Sequence, residues 1–261
     1  MAIPEATHPL FRYAPSPKIA IGIIVVLLIW EFGVQLAGIP AYVVPKPTEI
    51  AVRFWETLPA QAHHLSITGF TTLAGLVLAT VFGVLLALLV VYVRSLRGVV
   101  VSVLAAFNGI PKVAIAPLFV VWFGLGLESK ILLAFLLALF PIFVNSLTGL
   151  DEIESDVLDL SRLAGGTKMR IFMKIRLMNA IPYITDALKV AFPLALVGSI
   201  VGEFIGGNIG MGYLILSAQF NLDTALVFAS LVSITAFTSL GVGLIAAYEN
   251  AFLKWRPSRR R

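Results

Sequence analysis

The sequence predicts an all-α membrane protein with six transmembrane helices and both termini in the cytoplasm, and three observations predict it. First, hydrophobic residues make up 59% of the 261 and charged residues only 13%, with a mean hydropathy of +0.97. A soluble domain has roughly 45–50% and 25%. So little charge cannot cover a water-soluble protein of 28.2 kDa, so lipid is the solvent for most of the chain. Second, six apolar runs approach or exceed the ~20 residues of a transmembrane helix. Third, Lys and Arg are divided unevenly between the segments that join those runs. Together these exclude a cytosolic enzyme, a disordered chain and a nucleic-acid partner. The net charge of +5 and the pI near 9.6 report topology instead.

Taken in order, residues 1–18 form a polar, proline-bearing cytoplasmic segment without the pattern of a cleaved signal peptide. Spans follow at about 19–37, 68–93, 103–124, 130–148, 182–206 and 224–247. The second is long enough to tilt or project from the bilayer. Gly109, Pro111, Lys112 and Pro117 interrupt the third, and two readings stay open there. Either it is one span, or residues 95–110 lie along the interface and a shorter span begins at Pro111. With the N-terminus inside, fourteen basic residues fall on the cytoplasmic side, from Arg12 and Lys18 through Arg94, Arg97 and the 162–176 group to Lys254–Arg261. Only Lys46, Arg53 and Lys130 fall outside, the orientation that the positive-inside rule selects.

The spans form a transmembrane domain over 19–247, closed by a basic cytoplasmic tail at 248–261. Outside, Pro45-Lys46-Pro47-Thr48-Glu49 is a rigid turn with a helix-start signal. The 207–223 stretch is a glycine-hinged turn leading into a short apolar helix. There is no cysteine, hence no disulfide framework, thiolate site or cysteine nucleophile.

The longest cytoplasmic segment holds a hairpin at 152–178. Ile153, Val157, Leu160 and Ala164 share one helical face, opposite Glu154, Ser155, Asp159 and Arg162. Gly165-Gly166 ends that helix, and Thr167 is the N-cap of a second one. The second helix puts Phe172 and Ile175 on one side, with Lys168, Arg170, Lys174 and Arg176 around the rest. Pro182 is expected to close the segment and open the next span. Periodicity alone also fits an amphipathic hairpin lying on the membrane surface.

Asp159-Leu160-Ser161, Gly165 four residues on, Leu177 and then Ile181-Pro182 resemble the EAA loop of ABC importer permeases. Asp159 stands where that family has Glu, Leu160 and Ser161 replace its two alanines, and Met178 sits where a proline is common. Gly109-Ile110-Pro111-Lys112-Val113-Ala114-Ile115-Ala116-Pro117-Leu118 with Trp122-Phe123-Gly124-Leu125-Gly126 is similar to the nitrate/sulfonate/taurine branch. So are Val44-Pro45-Lys46-Pro47, Glu203-Phe204-Ile205-Gly206, Gly210-Met211-Gly212-Tyr213-Leu214-Ile215 and Leu253-Lys254-Trp255-Arg256-Pro257. The motifs run in order over about 40–257.

The resemblance implies a type I ABC importer fold and a multi-pass permease of the bacterial inner membrane. It implies a homodimer of two permease copies with two cytoplasmic ATPase subunits and an extracytoplasmic solute-binding protein. It makes the hairpin the coupling helix, through Asp159, Arg162, Ala164, Gly165, Gly166, Thr167, Lys168 and Phe172. It also implies that this chain binds no cofactor, with ATP and Mg on the partner. The chain itself carries no G-x-x-x-x-G-K-[ST] loop, and Gly165-Gly166-Thr167-Lys168 only imitates the end of one.

Inside the membrane, Gly198, Gly202, Gly206 and Gly210 recur every four residues and predict a smooth ridge for close helix approach. The ridge either packs within one chain or lines the pore or the seam between two copies. Ser199 and Glu203 share a face, and a carboxylate in an apolar run turns toward protein or water. It either bonds a neighbouring helix or belongs to a gate. Lys112 is either a snorkelling interfacial residue or a pore residue that attracts anions. His63 and His64 do not share a helix face, so no metal site is expected, and no nucleophile–base set is present. The function expected is passage of a small polar solute, which the resemblance implies is an organic or inorganic anion. The rivals are an ion-coupled secondary transporter and a membrane-embedded enzyme.

Overall fold

The computed structural model describes residues 17–153 and 155–253. Arg12 with the rest of 1–16, Glu154, and the tail from Lys254 to Arg261 lie outside the described residues. Regular structure among the described residues is all helical. Helix α1 (Pro17–Ala37) stops at Gly38, whose φ of +64° suits the residue after a helix end. Helix α2 (Pro47–Glu56) starts where the turn signal puts it, with Pro47 in its first turn and the Glu49 carboxylate accepting the Lys46 N–H at 2.9 Å. Helix α3 (Leu58–Tyr92) has 35 residues and so runs roughly 52 Å, well beyond a ~30 Å hydrocarbon core. A 3₁₀ turn at Arg94–Leu96 leads into α4 (Arg97–Gly109) and α5 (Lys112–Phe123).

Helices α4 and α5 meet at 95°, so of the two readings left open for 103–124 the single unbroken helix is not the one formed. Pro111 has no N–H for the helix ladder and holds Ile110 extended at φ −72°, ψ 132°. Neither piece is long enough to cross by itself. Then follow α6 (Leu127–Asp151), the hairpin helices α7 (Ser155–Leu163) and α8 (Lys168–Ile171), a π turn at Phe172–Arg176, and α9 (Leu177–Gly206). Helices α10 (Met211–Phe220) and α11 (Thr224–Phe252) are the last among the described residues, α11 capped by Asp223, which accepts the Leu226 N–H at 3.0 Å. Among the described residues five helices are long and apolar enough to cross a membrane, or six if the bent pair is one span.

A correction concerns Pro182, which starts nothing. The helical run from Met169 to Gly206 passes through it. In a bundle, neighbouring groups satisfy the backbone that a proline frees. The second arm of the hairpin is therefore continuous with the fifth long helix.

Small residues set the packing of α3, α6 and α9. Ala79, Ala134, Ala138, Ala187, Ala191 and Ala195 are fully buried at their shared core, with Leu76, Ile142 and Phe192 filling it. A Cβ on Gly75 would lie 2.5 Å from that of Ala134, and one on Gly198 would lie 2.6 Å from the Leu133 carbonyl oxygen. Only hydrogen fits at these crossings. Without a hydrophobic force between helices in lipid, this close approach is what gains dispersion energy.

Helices α1, α2 and α11 are more peripheral. Arg53 of α2 reaches Asp223 at the start of α11 with Nε at 2.9 Å and Nη2 at 2.6 Å. The Asp223 hydrogen bond is the main reason the Arg53 guanidinium titrates above its usual range. The pair is partly exposed and worth about 1 kcal/mol or less. Arg53→Ala is expected to lower the melting midpoint of the purified chain by no more than about 3 °C, read by a thermal-shift scan.

Candidate functional site

Two places gather the residues singled out by the sequence. The first is the hairpin. Helix α7 ends in a left-handed turn, with Gly165 at φ +78°, the Gly165 N–H on Arg162 O at 3.0 Å and the Gly166 N–H on Ser161 O at 2.9 Å. These two bonds satisfy carbonyls that a helix end leaves open. The Thr167 hydroxyl accepts the Arg170 N–H at 3.3 Å, as an N-cap does, and Lys168 opens α8. Asp159 pairs with Arg162 at 2.8 Å in solvent.

The apolar face of α7 does not point at the bundle. Leu160 is 70% and Leu163 86% exposed, and Val157, Ala164 and Met169 are exposed with them. Among the described residues nothing covers this tip. Phe172 behaves otherwise and belongs to the root, where its ring meets that of Tyr92 at a tilt of 52° with centroids 5.2 Å apart and packs against the core. The root is pinned by polar bonds as well. Arg176 donates to Leu150 O at 2.9 Å, and Asn179 donates to Gly149 O at 2.8 Å and to Glu152 O at 3.0 Å. The outcome is a rigidly held stem with an exposed apolar tip.

The second place is at the opposite end of the bundle, around Glu203. It is 1% exposed. Its carboxylate accepts the Thr68 hydroxyl at 2.8 Å and the Gly212 N–H at 2.8 Å. Thr68 Oγ1 in turn accepts the Met211 N–H at 2.8 Å, and His64 Nδ1 accepts the Gly210 N–H at 3.1 Å. Lys130, 2% exposed, donates to Ile209 O at 3.1 Å. Four successive residues, Ile209 to Gly212, are thus held by four side chains from α3, α6 and α9. Ser199 shares Glu203's face and hydrogen-bonds Thr71.

This arrangement commits Glu203 to the chain's own donors, so it offers no free carboxylate to a solute. Gly210 departs from the expected ridge. Helix α9 stops at Gly206, and Gly210 sits beyond it at φ +117°, where a Cβ would lie 2.2 Å from the Glu203 carboxyl carbon. Gly198 and Gly202 press on α6, and Gly206 faces Leu125 and Val120, so the ridge packs within one chain.

Lys112 is not brought to Glu203. It lies at the α4–α5 elbow, part-exposed, with Nζ on Asn108 Oδ1 at 2.8 Å. Lys130, counted with the outer loops from sequence, is instead buried inside α6. Thr68, His64 and Lys130 were not singled out as site residues. The readable signal was a hydroxyl cluster, Thr68, Thr71 and Thr72, inside an apolar run facing a glycine-rich turn with bare N–H groups.

Residues 79–254 match the family described as the inner membrane component of binding-protein-dependent transport systems, and this chain belongs to that family. It is therefore a multi-pass, non-catalytic transport subunit of the inner membrane. It is 31% identical over 246 residues to the riboflavin transport system permease RibX of Chloroflexus aurantiacus, covering 94% of this chain and 92% of that one. It is 34% identical over 244 residues to the formylaminopyrimidine transport permease ThiX of Halalkalibacterium halodurans, covering 90% and 94%. The fold resembles a chain of the MetNI methionine ABC transporter in an inward-facing conformation, with TM-score 0.55, 23% identity, and coverage of 78% of this chain and 98% of that one.

Proposed function

We propose that this chain is the permease of an ATP-driven importer, working as a homodimer with two ATPase subunits and a solute-binding protein outside. The hairpin end is then cytoplasmic, as the basic residues require, and both termini lie on that side. The rooted hairpin with its uncovered Leu160 and Leu163 is the observation that carries this reading. An exposed apolar tip on a stiff stem is what a groove on a separate subunit can grip. Because the stem runs straight into α9, displacement of the tip tilts that helix as a lever. ATP and Mg belong to the partner, and this chain supplies the path.

The solute is small and polar. The branch resemblance argues for an anion, whereas RibX and ThiX are named for nitrogen heterocycles. The test is uptake into vesicles carrying the permease with its ATPase and binding protein, using taurine, riboflavin and formylaminopyrimidine as solutes. ATP-dependent accumulation of one of them, lost when the ATPase is omitted, is the expected result. Accumulation driven by an ion gradient without the ATPase would establish the secondary-transporter alternative instead.

A further inference from the structure

At the root of the hairpin a hollow of about 550 Å³ opens between the last turn of α3, the Arg94–Leu96 turn and α7–α8. Arg94, Arg97, Arg162 and Arg176 line it, with Asp151 as the single carboxylate. Asp151 is shared, pairing directly with Arg97 and lying 3.9 Å from Arg176. Arg162 has Asp159 on its own helix, an exposed and therefore weak pair. Arg94 has no carboxylate partner among the described residues.

Four guanidinium groups around one carboxylate leave a cationic concavity, which concentrates anions. Guanidinium forks match phosphate oxygens in spacing and plane. The rest of the lining is largely apolar, with Val90, Leu158, Ile171 and the Tyr92–Phe172 pair. The volume falls in the ~300–1,000 Å³ range of organic ligand sites and exceeds what a bare phosphate fills.

We propose that this hollow binds a phosphate group carried on an apolar or glycerol-sized organic body. The phosphate lies among Arg94, Arg97 and Arg162, and the body lies on the Tyr92–Phe172 wall. Two sources share that chemistry, the headgroup of an anionic phospholipid and a free phosphorylated metabolite. Where the hairpin end is the cytoplasmic one, which rests on the function proposed above, the last turn of α3 lies at headgroup depth. A bound phosphate then ties the α3–α4 junction to α7 and braces the hairpin against the core.

The test uses the purified full chain without ATPase or solute, so failure of the importer reading leaves it interpretable. Retention of phosphatidylglycerol, of phosphatidylcholine as control, and of glycerol 3-phosphate is measured by native mass spectrometry on the wild type, Arg94→Gln and Arg94→Lys. Arg94 is chosen because, among the described residues, its replacement breaks no ion pair. The expected result is preference for phosphatidylglycerol over phosphatidylcholine, weakened about tenfold in Arg94→Gln and largely kept in Arg94→Lys. If only glycerol 3-phosphate shows this dependence on Arg94, the site stands and its ligand is soluble. If neither phosphate probe binds, or if Arg94→Gln leaves both unchanged, the proposal is overturned.

Discussion

Glu203→Ala is expected to release the segment from Ile209 to Gly212 from the bundle without unfolding it. Among the described residues the carboxylate is the acceptor for the Gly212 N–H, which belongs to the first turn of α10 and has no helical partner. Removing it leaves a buried donor unsatisfied, at a cost of about 2 kcal/mol. That corresponds to roughly 30-fold faster opening of the segment. Thr68 loses its acceptor on Glu203 but keeps the His64 carbonyl at 3.2 Å. The remaining ties through Lys130, His64 and Thr68 hold the start of α10 only loosely. Amide hydrogen exchange over 209–214 should rise by about that factor, while α3, α6 and α9 keep their protection. Under the function proposed above this turn lies on the face where the binding protein docks, so uptake in the assembled transporter should fall with it. Glu203→Gln keeps an acceptor for Gly212 and should lie between the two. Wild-type exchange at 209–214 in Glu203→Ala would show that the carboxylate does not hold this segment.

How much of this could be read from sequence depends on whether the deciding force is local. The long helices were legible because hydropathy is additive along the chain. Lys46–Glu49, Thr167 and Gly165 were legible as caps because capping involves neighbours three or four residues apart. What escaped needed a partner from elsewhere. The four-residue glycine period continues to Gly210, but nothing in a period says that the helix stops at Gly206. Lys130 looked like a loop charge until the Ile209 carbonyl, 79 residues away, gave its ammonium a place inside α6. Pro182 reads as a breaker only if the backbone it frees would meet lipid. The break at Pro111 was visible in the residues, whereas its 95° angle follows from how α5 packs on α6 and α9. In α7 the apolar face was correctly patterned, yet periodicity cannot say whether such a face turns inward or waits for a partner.

That outward face makes the hairpin the place where a small change should have the largest functional effect for the least structural damage. Gly165 has open space around it, and a Cβ there would meet no atom within 4 Å. Its φ of +78° is the obstacle. A valine cannot hold that angle without a cost of about 1–2 kcal/mol, so Gly165→Val re-forms the turn rather than tolerating it. The two hairpin arms then leave at a different angle and carry Leu160 and Leu163 away from the ATPase contact proposed above. The stem stays anchored by Phe172, Arg176 and Asn179, none of which touches the turn. Membrane insertion and melting midpoint should therefore match the wild type, while solute uptake per ATP hydrolysed falls at least about tenfold, the loss of roughly 1.4 kcal/mol of coupling. Asp159→Lys tests the same surface by charge, since it replaces an exposed pair with two like charges beside the tip without altering the turn. If the hairpin is the lever, both variants uncouple hydrolysis from uptake. Full coupling in both, with the ATPase still bound, would mean that the motion enters the membrane helices somewhere else.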